Sequence, residues 1–340
     1  MALNTERLAA WIAAWAGADV AAIDRIEVLS GGAIQENWAL DLTLADGPRA
    51  GRHALVLRTS AVSGVAVSWD RLQEFAILTT AHAAGVTVPE PWVACADAVV
   101  IGRPFYLMKR LRGEARGNRL VRDPLVLAGS DGLASRLGGE LAKLHRIAPP
   151  VPGLDFMPVP DGSPAAGRIA EYRRHLDALD AAEPVLEWAL SWLDQRAPAA
   201  SRVCLLHGDF RTGNYLVDKG ELAGILDWEF AAFGDPLEDL GWMLARCWRF
   251  GAHGREAGGI GSRQALLAGY EAEAGQPVEA ALVPYWEVMA TVRWAVIALQ
   301  QAERHHSGAE PSLELALTGQ LLPQLELDLL TRIAEIEAGR

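Results

Sequence analysis

Two hydrophobic patterns divide the chain into two parts. In the first, alternating apolar and polar positions predict half-buried strands at 25–29, 38–44 and 53–57. Apolar residues spaced three and four apart predict helices at 5–15 and 69–84. The buried side of the second helix is predicted to carry Leu72, Phe75, Ala76 and either Leu78 or Thr79. This part is therefore expected to be a small set of strands with one main helix.

Helical spacing dominates the second part of the chain. Helices are predicted at 133–145, 169–179, 184–193, 236–250, 263–274, 282–301 and 313–338. The fold class is therefore predicted to be α+β. We place the boundary so that a strand-rich N-terminal lobe covers 1–111 and a mostly helical C-terminal lobe covers 112–340.

The most informative stretch lies at 203–226, where three short apolar runs each end at polar residues. The first run leads into His207-Gly208-Asp209, and Asn214 follows five positions after Asp209. The third run delivers Asp227. Because a hairpin brings strand ends together, these oxygen-bearing side chains are expected to meet.

Phosphoryl transfer is the chemistry that needs this set of groups. One carboxylate, Asp209, would accept or orient the proton of an attacking hydroxyl. The side-chain oxygens of Asn214 and Asp227 are ligands that Mg²⁺ prefers. The spacing His-x-Asp-x-x-x-x-Asn followed by an Asp is the pattern of kinase catalytic loops.

Composition narrows the possible partners. The hydrophobic content of 51% with 22% charged residues is typical of a folded protein. A net charge of −12 argues against nonspecific nucleic-acid binding. The apolar stretch 285–299 is broken by Glu287 and Arg293 and is too short to span a membrane. Without a signal-peptide pattern at the N-terminus, a cytoplasmic protein with neither nucleic-acid nor membrane partners is expected.

The stretch around Asp209 closely resembles the aminoglycoside phosphotransferase and choline kinase-like family. That resemblance implies a two-lobed protein-kinase-like fold, with a small antiparallel sheet and one main helix in the N-lobe. It implies ATP and Mg²⁺ as cofactors and a small-molecule hydroxyl as acceptor, with Asp209 as base and Asn214 and Asp227 on the metal. His207 would brace the loop, and Arg211 would either neutralise the γ-phosphate or be a solvated loop residue.

The resemblance also implies nucleotide contacts from the N-lobe. The glycine turn at Ser30-Gly31-Gly32 would fold over the phosphates. Arg58 stands where kinases usually carry Lys and would grip phosphate, with Glu74 as its helix partner. The strand end and hinge at Met108, Lys109 and Leu111 would contact adenine through the backbone. These residues complete the predicted ATP site.

The acceptor and two alternative functions remain open at this point. Acidic Glu229, Asp235 and Glu238 would suit an amine-bearing acceptor such as an aminoglycoside or choline, or they are structural. Asp227-Trp228-Glu229 and the region 286–304 look most like the branch related to kinase domains attached to acyl-CoA dehydrogenases, which implies a hydroxyacyl-CoA or a similar metabolite. Basic candidates for holding such an acceptor are Arg110, Arg112, Arg116 and Arg119. The alternatives are a catalytically silent nucleotide-binding or regulatory module and a protein kinase. The oligomeric state is left open.

The presence of all three residues, Asp209, Asn214 and Asp227, argues against the catalytically silent module. A module without catalytic activity does not need all three. A protein kinase is disfavoured because Gly234-Asp235-Pro236 follows Asp227 almost at once, which leaves no room for an activation segment. A further Asp, Asp239, matches a family residue that would hydrogen-bond the catalytic-loop backbone. For His145, at a helix end, a favourable interaction with the helix dipole is the preferred interpretation.

Overall fold

The structure, a computed structural model, describes residues 3–29, 35–60, 68–179, 182–198 and 202–339. It contains two compact units. The first unit consists of Met1–Gly113, Pro152–Phe156 and Ala223–Phe230, and the second of Glu114–Val151, Met157–Leu222 and Ala231–Arg340. By this division Asp227 belongs with the N-terminal strands. The predicted boundary after residue 111 stays a prediction.

An antiparallel sheet forms the centre of the first unit. Its described strands are β1 (Ala21–Leu29), β2 (Gln35–Leu44), β3 (Gly51–Ser60), β4 (Pro91–Cys95) and β5 (Phe105–Lys109), in the order β1-β2-β3-β5-β4. The middle strand, β3, pairs with β2 and β5, so Arg58 lies opposite Asn37 on one side and Tyr106 on the other. The strand pattern thus places Arg58 inside the sheet rather than at its edge.

Helix α1 (Thr5–Ala16) closes one side of this unit's core. Asn4 caps its N-terminus, and Gly17 ends it with a φ of 66°, a left-handed conformation that favours glycine. Leu8 and Ile12 are fully buried and pack with strand residues such as Leu42. The face of α1 that carries the apolar residues Leu8 and Ile12 is therefore buried, as the helical spacing predicts.

The main helix of the first unit, α2 (Arg71–Ala83), buries only part of the predicted face. Asp70 caps it with a capping box completed by Gln73. Its buried residues are Arg71, Glu74, Ile77, Leu78 and Ala81. Of the residues predicted to be buried on this helix, Leu78 is buried, Leu72, Phe75 and Ala76 are only partly buried, and Thr79, the alternative to Leu78, is exposed. The prediction missed the charged residues of the inner face, where Arg71 pairs with Glu74 and Glu74 also pairs with Arg58. A short helix, α3 (Ala98–Ile101), completes the unit.

The second unit is mostly helical. Its helices are α4 (Gly117–Leu120), α5 (Pro124–Ala128), α6 (Ser130–Leu144), α7 (Pro164–Ala178), α8 (Pro184–Gln195), α9 (Leu237–Leu244), α10 (Arg263–Ala274), α11 (Val283–His306), α12 (Leu313–Gly319) and α13 (Leu322–Glu337). The remaining strands are β6 (Cys204–Leu206), β7 (Tyr215–Asp218), β8 (Glu221–Ile225) and β9 (Ala232–Gly234). Strands β7 and β8 form the predicted hairpin, whereas β6 pairs with β9.

Helix α11 is the core helix of this unit. Trp286 and Val292 are buried on it, among residues of α7, α8 and α13 such as Leu190 and Leu329. The segment Ala280–His306 is long and apolar enough to cross a membrane by length and composition alone, but 67% of its most apolar window is buried within the protein. Burial of this kind is what the core helix of a folded domain shows.

Two glycines let α6 and α10 pack closely. A Cβ on Gly138 would lie 2.0 Å from the Leu266 carbonyl oxygen, and one on Gly269 would lie 1.9 Å from that of Ser135. Both separations are shorter than real Cβ contacts, so only glycine permits this approach. The close packing brings Tyr270 of α10 beside His145, which follows α6.

Two predicted helices are shorter than expected. The helix predicted at 236–250 ends at Leu244 and gives way to a 3₁₀ turn at Arg246–Arg249, after which Phe250 has a φ of 46°. The helix predicted at 313–338 is interrupted between Gly319 and Leu322, since glycine disfavours helix interiors and Pro323 favours a new first turn.

Candidate active site

The loop between β6 and β7 carries the second unit's candidate residues. His207 is fully buried and Asp209 is 9% exposed. Gly208 and Gly213 have φ values of 77° and 118°, which L-residues rarely adopt, so the loop's path depends on glycine at these positions. The Asp209 backbone N–H donates to Nδ1 of His207 at 3.2 Å. The sequence of this loop therefore sets its shape.

Asp239, on α9, holds the start of the same loop. Its carboxylate accepts from the backbone N–H of His207 at 2.8 Å and from that of Gly208 at 3.0 Å. This is the contact that the family resemblance implies for Asp239. A carboxylate that accepts two backbone N–H groups fixes both the position and the direction of the loop.

His145, at the C-terminal end of α6, also contacts Asp239, which the helix-dipole interpretation did not include. The ring is 1% exposed, with Nε2 at 3.2 Å from the Asp239 carboxylate and Nδ1 at 3.1 Å from the Tyr270 hydroxyl. Burial alone would raise the pKa of Asp239, but the hydrogen bonds and charge from His145 and His207 lower it below its ordinary value. Asp239 is therefore held as an ionised hydrogen-bond acceptor.

The carboxylate of Asp209 is oriented by three donors. Trp242 Nε1 donates to Oδ1 at 2.7 Å, and Arg211 Nε approaches the same oxygen at 3.2 Å. Asn214 Nδ2 donates to Oδ2 at 2.5 Å and to the Asp209 carbonyl at 3.0 Å. Trp242 was missed from the sequence, because nothing local marks a tryptophan on α9 as a partner of a loop 33 residues earlier. Hydrogen bonds to the charged form hold this carboxylate in one rotamer.

The amide of Asn214 suits the predicted ligand role. Because its nitrogen is directed at Asp209, its carbonyl oxygen faces the other way. That oxygen is the hard donor that Mg²⁺ takes from an asparagine. In the described part of the chain no group of three or more His, Cys, Asp or Glu side chains forms a metal cluster.

Two arginines stack on the tryptophans around Asp209. Arg211 lies over Trp248 at 4.5 Å, besides its contact with Asp209. Arg293 lies over Trp242 at 4.4 Å and donates to the Gly208 carbonyl at 2.5 Å. Arg293 was also missed, since it stands 85 residues after the loop that it contacts. Stacking and hydrogen bonding together restrict both guanidinium groups.

The first unit's candidate residues form a buried ion network around Arg58. Its Nε donates to Glu74 at 3.1 Å, and one terminal nitrogen lies 2.8 Å from Glu74 and 2.5 Å from Asp227. Arg58 is 6% exposed and Glu74 is fully buried. Burial by itself would lower the pKa of Arg58, but Glu74 and Asp227 raise it well above its ordinary value. The guanidinium is thus held as a buried cation.

Arg71 and Glu229 extend this network. Arg71 pairs with Glu74, donates to the Trp69 carbonyl at 2.8 Å and lies 3.9 Å from Glu229. Desolvation, with repulsion from Asp227, raises the pKa of Glu229 to about 7. Glu229 is therefore substantially protonated near neutral pH. No local pattern in the sequence marks Arg71 or Glu229 as a member of this network.

Asp227 follows β8 in a left-handed conformation, with a φ of 65°. Its side chain is 38% exposed, in contrast to the rest of the Arg58 network. A 3₁₀ turn at Trp228–Phe230 comes next, and the Trp69 backbone N–H bonds to the Glu229 carbonyl at 3.1 Å. A non-glycine residue with positive φ is uncommon and marks a constrained backbone position.

The other residues predicted for the nucleotide site are the glycine turn and the end of β5. Ser30, Gly31 and Gly32 lie outside the described residues. Met108 is buried in β5, and the Lys109 side chain lies 3.1 Å from Nδ1 of His53. The backbone N–H of Lys109 bonds to the Glu90 carbonyl within the first unit. Leu111 follows the strand and is partly buried. An adenine contact through these residues stays a prediction.

The charged candidates for acceptor binding are mostly engaged in structural contacts. The Asp235 carboxylate accepts from the backbone N–H of Leu237, the first residue of α9, at 2.8 Å, and Glu238 pairs with Arg168 at 2.8 Å. Among the predicted basic residues, Arg110 pairs with Asp41, both Arg116 and Arg119 pair with Glu114, and Arg112 is exposed. These contacts favour the structural interpretation of Asp235 and Glu238 over recognition of an amine.

Comparison with known proteins identifies the chain's relatives. Residues 25–281 match the sequence model of the phosphotransferase enzyme family. The mouse (Mus musculus) protein acyl-CoA dehydrogenase family member 10 is 29% identical over 175 residues, which is 49% of this chain and 16% of the mouse protein. The chain thus spans only a small part of this curated relative.

Solved structures show the same fold along the whole chain. A protein of Ralstonia eutropha JMP134 assigned to the aminoglycoside phosphotransferases superposes with a TM-score of 0.77 and 20% identity, covering 98% of this chain and 99% of that one. The GDP complex of aminoglycoside 2′-phosphotransferase-IIIa gives a TM-score of 0.60 and 16% identity, with coverages of 96% and 99%. The predicted α+β, protein-kinase-like fold is confirmed.

Proposed function

The chain belongs to the phosphotransferase enzyme family, and from this premise we propose that it moves the γ-phosphoryl group of ATP to a hydroxyl of a small molecule. The observation that carries the proposal is the state of Asp209. Trp242, Arg211 and Asn214 hold this buried carboxylate in one orientation, as is needed for a group that acts on one hydroxyl in one geometry. An aspartate with only a structural role does not need to be both buried and held by three side chains.

Asp209 is proposed to orient the acceptor hydroxyl and to take its proton as the bond from its oxygen to the γ-phosphorus of ATP forms, while the bond from that phosphorus to the β-phosphate breaks and ADP leaves. The loop carrying it is fixed by Asp239 through two backbone N–H groups, so the carboxylate needs little reorganisation. Arg211, held 3.2 Å from Asp209, would place positive charge beside the transferring group.

Asn214 and Asp227 are the residues proposed to hold Mg²⁺. Both offer oxygen donors, with the Asn214 oxygen turned away from Asp209 and the Asp227 carboxylate partly exposed. When bound, Mg²⁺ would neutralise charge on the phosphate oxygens. Arg58, kept cationic and in place by Glu74, is proposed to hold the ATP phosphates in place of the usual lysine. The GDP bound by a structural neighbour supports a nucleotide as phosphate donor.

The acceptor is proposed to be a hydroxyacyl-CoA rather than an amine-bearing alcohol. Likeness to part of an acyl-CoA dehydrogenase family member supports this choice, and the structural engagement of Asp235 and Glu238 disfavours recognition of an amine. The exposed Arg112 is the remaining basic candidate for the CoA phosphates. We expect the enzyme to act in the cytoplasm, without nucleic-acid or membrane partners.

The test measures acceptor-dependent ADP formation with Mg²⁺ and ATP. The panel contains hydroxyacyl-CoAs, aminoglycosides, choline and sugars, and the variants are Asp209→Asn and, as a matched control, Asp218→Asn, whose carboxylate is exposed in the β7–β8 hairpin. We expect turnover with a hydroxyacyl-CoA that Asp209→Asn loses and Asp218→Asn keeps. Turnover with another class would replace the proposed acceptor. ATP binding without any turnover would favour the silent module, and failure to bind Mg-ATP would contradict the proposal.

A further inference from the structure

A pocket of about 580 Å³ opens in the second unit, away from the loop that carries Asp209. Its walls come from the 3₁₀ turn Arg246–Arg249, the segment leading to Glu256, α11 and α13. A second pocket of about 390 Å³ adjoins it and shares Arg246, His253 and Asp328 with it. Volumes of this size are typical of small-molecule sites.

Most charges on the pocket wall are already paired. Arg246 meets Asp328 at 3.2 Å, and Arg263 meets Glu256 at 2.9 Å and also pairs with Glu287. Arg332 lies 3.1 Å from Glu287. These ion pairs place an arginine of the protein itself beside each of the carboxylates of Glu256, Glu287 and Asp328.

Arg249 is the exception among these arginines. Although it is only 9% exposed, its terminal nitrogens reach just two backbone carbonyls, of Leu244 at 2.7 Å and of His253 at 3.2 Å. Its nearest carboxylate among the described residues, that of Glu256, is 3.9 Å away and is engaged by Arg263, and within this part of the chain the buried Nε has no hydrogen-bond partner. Desolvation consequently lowers the pKa of Arg249. A buried guanidinium without a close counter-charge is costly unless an anion joins it.

The two pockets differ in character. Arg246 and Arg249 are three residues apart in a 3₁₀ turn, so they lie on the same side of it. The adjoining pocket is lined largely by apolar side chains, including Phe250, Trp294 and Leu325. An anionic group at the arginines would therefore have apolar surface next to it.

This space is distinct from the site at Asp209. Trp248, in the same 3₁₀ turn, packs on Trp242 at 5.1 Å and lies under Arg211 at 4.5 Å. Within the described residues, the loop 207–214 contributes nothing to the wall of either pocket. The turn thus presents its tryptophan to the Asp209 site and its arginines to the pocket.

We propose that the joined pockets are a second binding site, for an amphipathic anion whose carboxylate or phosphate monoester pairs with Arg249 and Arg246 while its apolar chain lies against Trp294. The two head groups share the chemistry that a guanidinium recognises. The apolar chain supplies the hydrophobic part of the binding free energy.

The test is calorimetric titration of the full chain, without ATP or acceptor, with octanoate, octyl phosphate and octylamine. We expect saturable binding of at least one of the two anions, and their relative affinities distinguish the head groups. We expect no binding of octylamine, whose charge is reversed. Equal binding of octylamine, or no binding of either anion, would overturn the proposal.

Variants locate the binding. Arg246→Glu changes a half-exposed residue and is expected to weaken anion binding by about tenfold or more. Arg249→Lys keeps the positive charge but loses the planar guanidinium group, and it should weaken anion binding by a smaller factor. Arg173→Glu, on the surface of α7, is the matched control and should bind as the wild type. Wild-type affinity in both pocket variants would overturn the proposal. Because no phosphotransfer is measured, either result is independent of the function proposed for Asp209.

Discussion

Two buried carboxylates, Glu74 in the first unit and Asp239 in the second, are stabilised in different ways. Glu74 is fully buried between the guanidinium groups of Arg58 and Arg71. Asp239 is 1% exposed and accepts from two backbone N–H groups, with His145 as its third neighbour. One carboxylate is compensated by two arginine charges, the other by His145 together with hydrogen bonds from the backbone of the loop that it positions.

The difference indicates separate tasks for the two networks. Ion pairs between long side chains can exchange partners, and Arg58 already contacts both Glu74 and Asp227. Such a network suits a place where an anionic ligand must be accommodated. Backbone N–H groups bound to one carboxylate have no comparable freedom, and they suit a loop whose geometry must not change. Mutations should therefore affect stability most in the first network and catalysis most around the second.

The largest effect on stability is expected from Glu74→Gln. Removing this charge leaves Arg58 and Arg71 without their shared buried counter-ion, which should cost about 3–5 kcal/mol of unfolding free energy. Urea unfolding measures the loss. Glu27→Gln is the control, because Glu27 pairs with Arg25 on an exposed strand and its loss should be barely measurable. Equal losses in the two variants would contradict the assignment of Glu74 to a stabilising ion network.

Next in size is the pH dependence due to Glu229, whose pKa is raised to about 7. In the unfolded chain this carboxyl ionises near 4.5, so between these values the folded protein binds the extra proton. Stability that is present below pH 4.5 is therefore lost as the pH rises toward 7, by about 3 kcal/mol in total at 1.4 kcal/mol per unit. Glu229→Gln should remove this part of the pH dependence. If the unfolding free energies of wild type and variant changed with pH at the same slope between pH 5 and 8, the role of Glu229 in this pH dependence would be refuted.

A smaller effect, confined to catalysis, is expected from Trp242→Phe. The variant keeps the ring that stacks under Arg293 but loses the hydrogen bond to Asp209. A hydrogen bond to a charged group contributes about 1.5–3 kcal/mol, so kcat should fall about 10- to 100-fold with little change in unfolding free energy. Trp188→Phe, at a half-exposed position on α8, should leave kcat unchanged. An unaltered kcat in Trp242→Phe would show that Asp209 needs no such donor.

The sequence predicted what local patterns determine and missed what packing determines. Strand ends and spacing located Asp209, Asn214 and Asp227, because short apolar runs and a glycine loop are local features. The partners Trp242 and Arg293 lie 33 and 85 residues from the atoms that they contact, at a distance that no single-sequence pattern encodes.

The buried face of α2 illustrates the same limit. Hydrophobic spacing favoured Leu72 and Phe75, yet the innermost positions hold Arg71 and Glu74. Charge pairing with Arg58, on a distant strand, outweighs apolarity at these positions. Hydrophobic spacing assigns charged residues to the surface, so it predicts the wrong buried positions where charged residues form a buried ion network.

The most direct test of the central claim measures ATP affinity and phosphotransfer rate together in Asp209→Asn, with the acceptor identified by the panel. If Asp209 acts on the acceptor hydroxyl while Arg58 and its network hold the nucleotide, the rate should fall by about 10²–10⁴-fold. The Kd for Mg-ATP should stay close to that of the wild type. Transfer at the wild-type rate, or loss of ATP binding together with activity, would contradict the role assigned to Asp209.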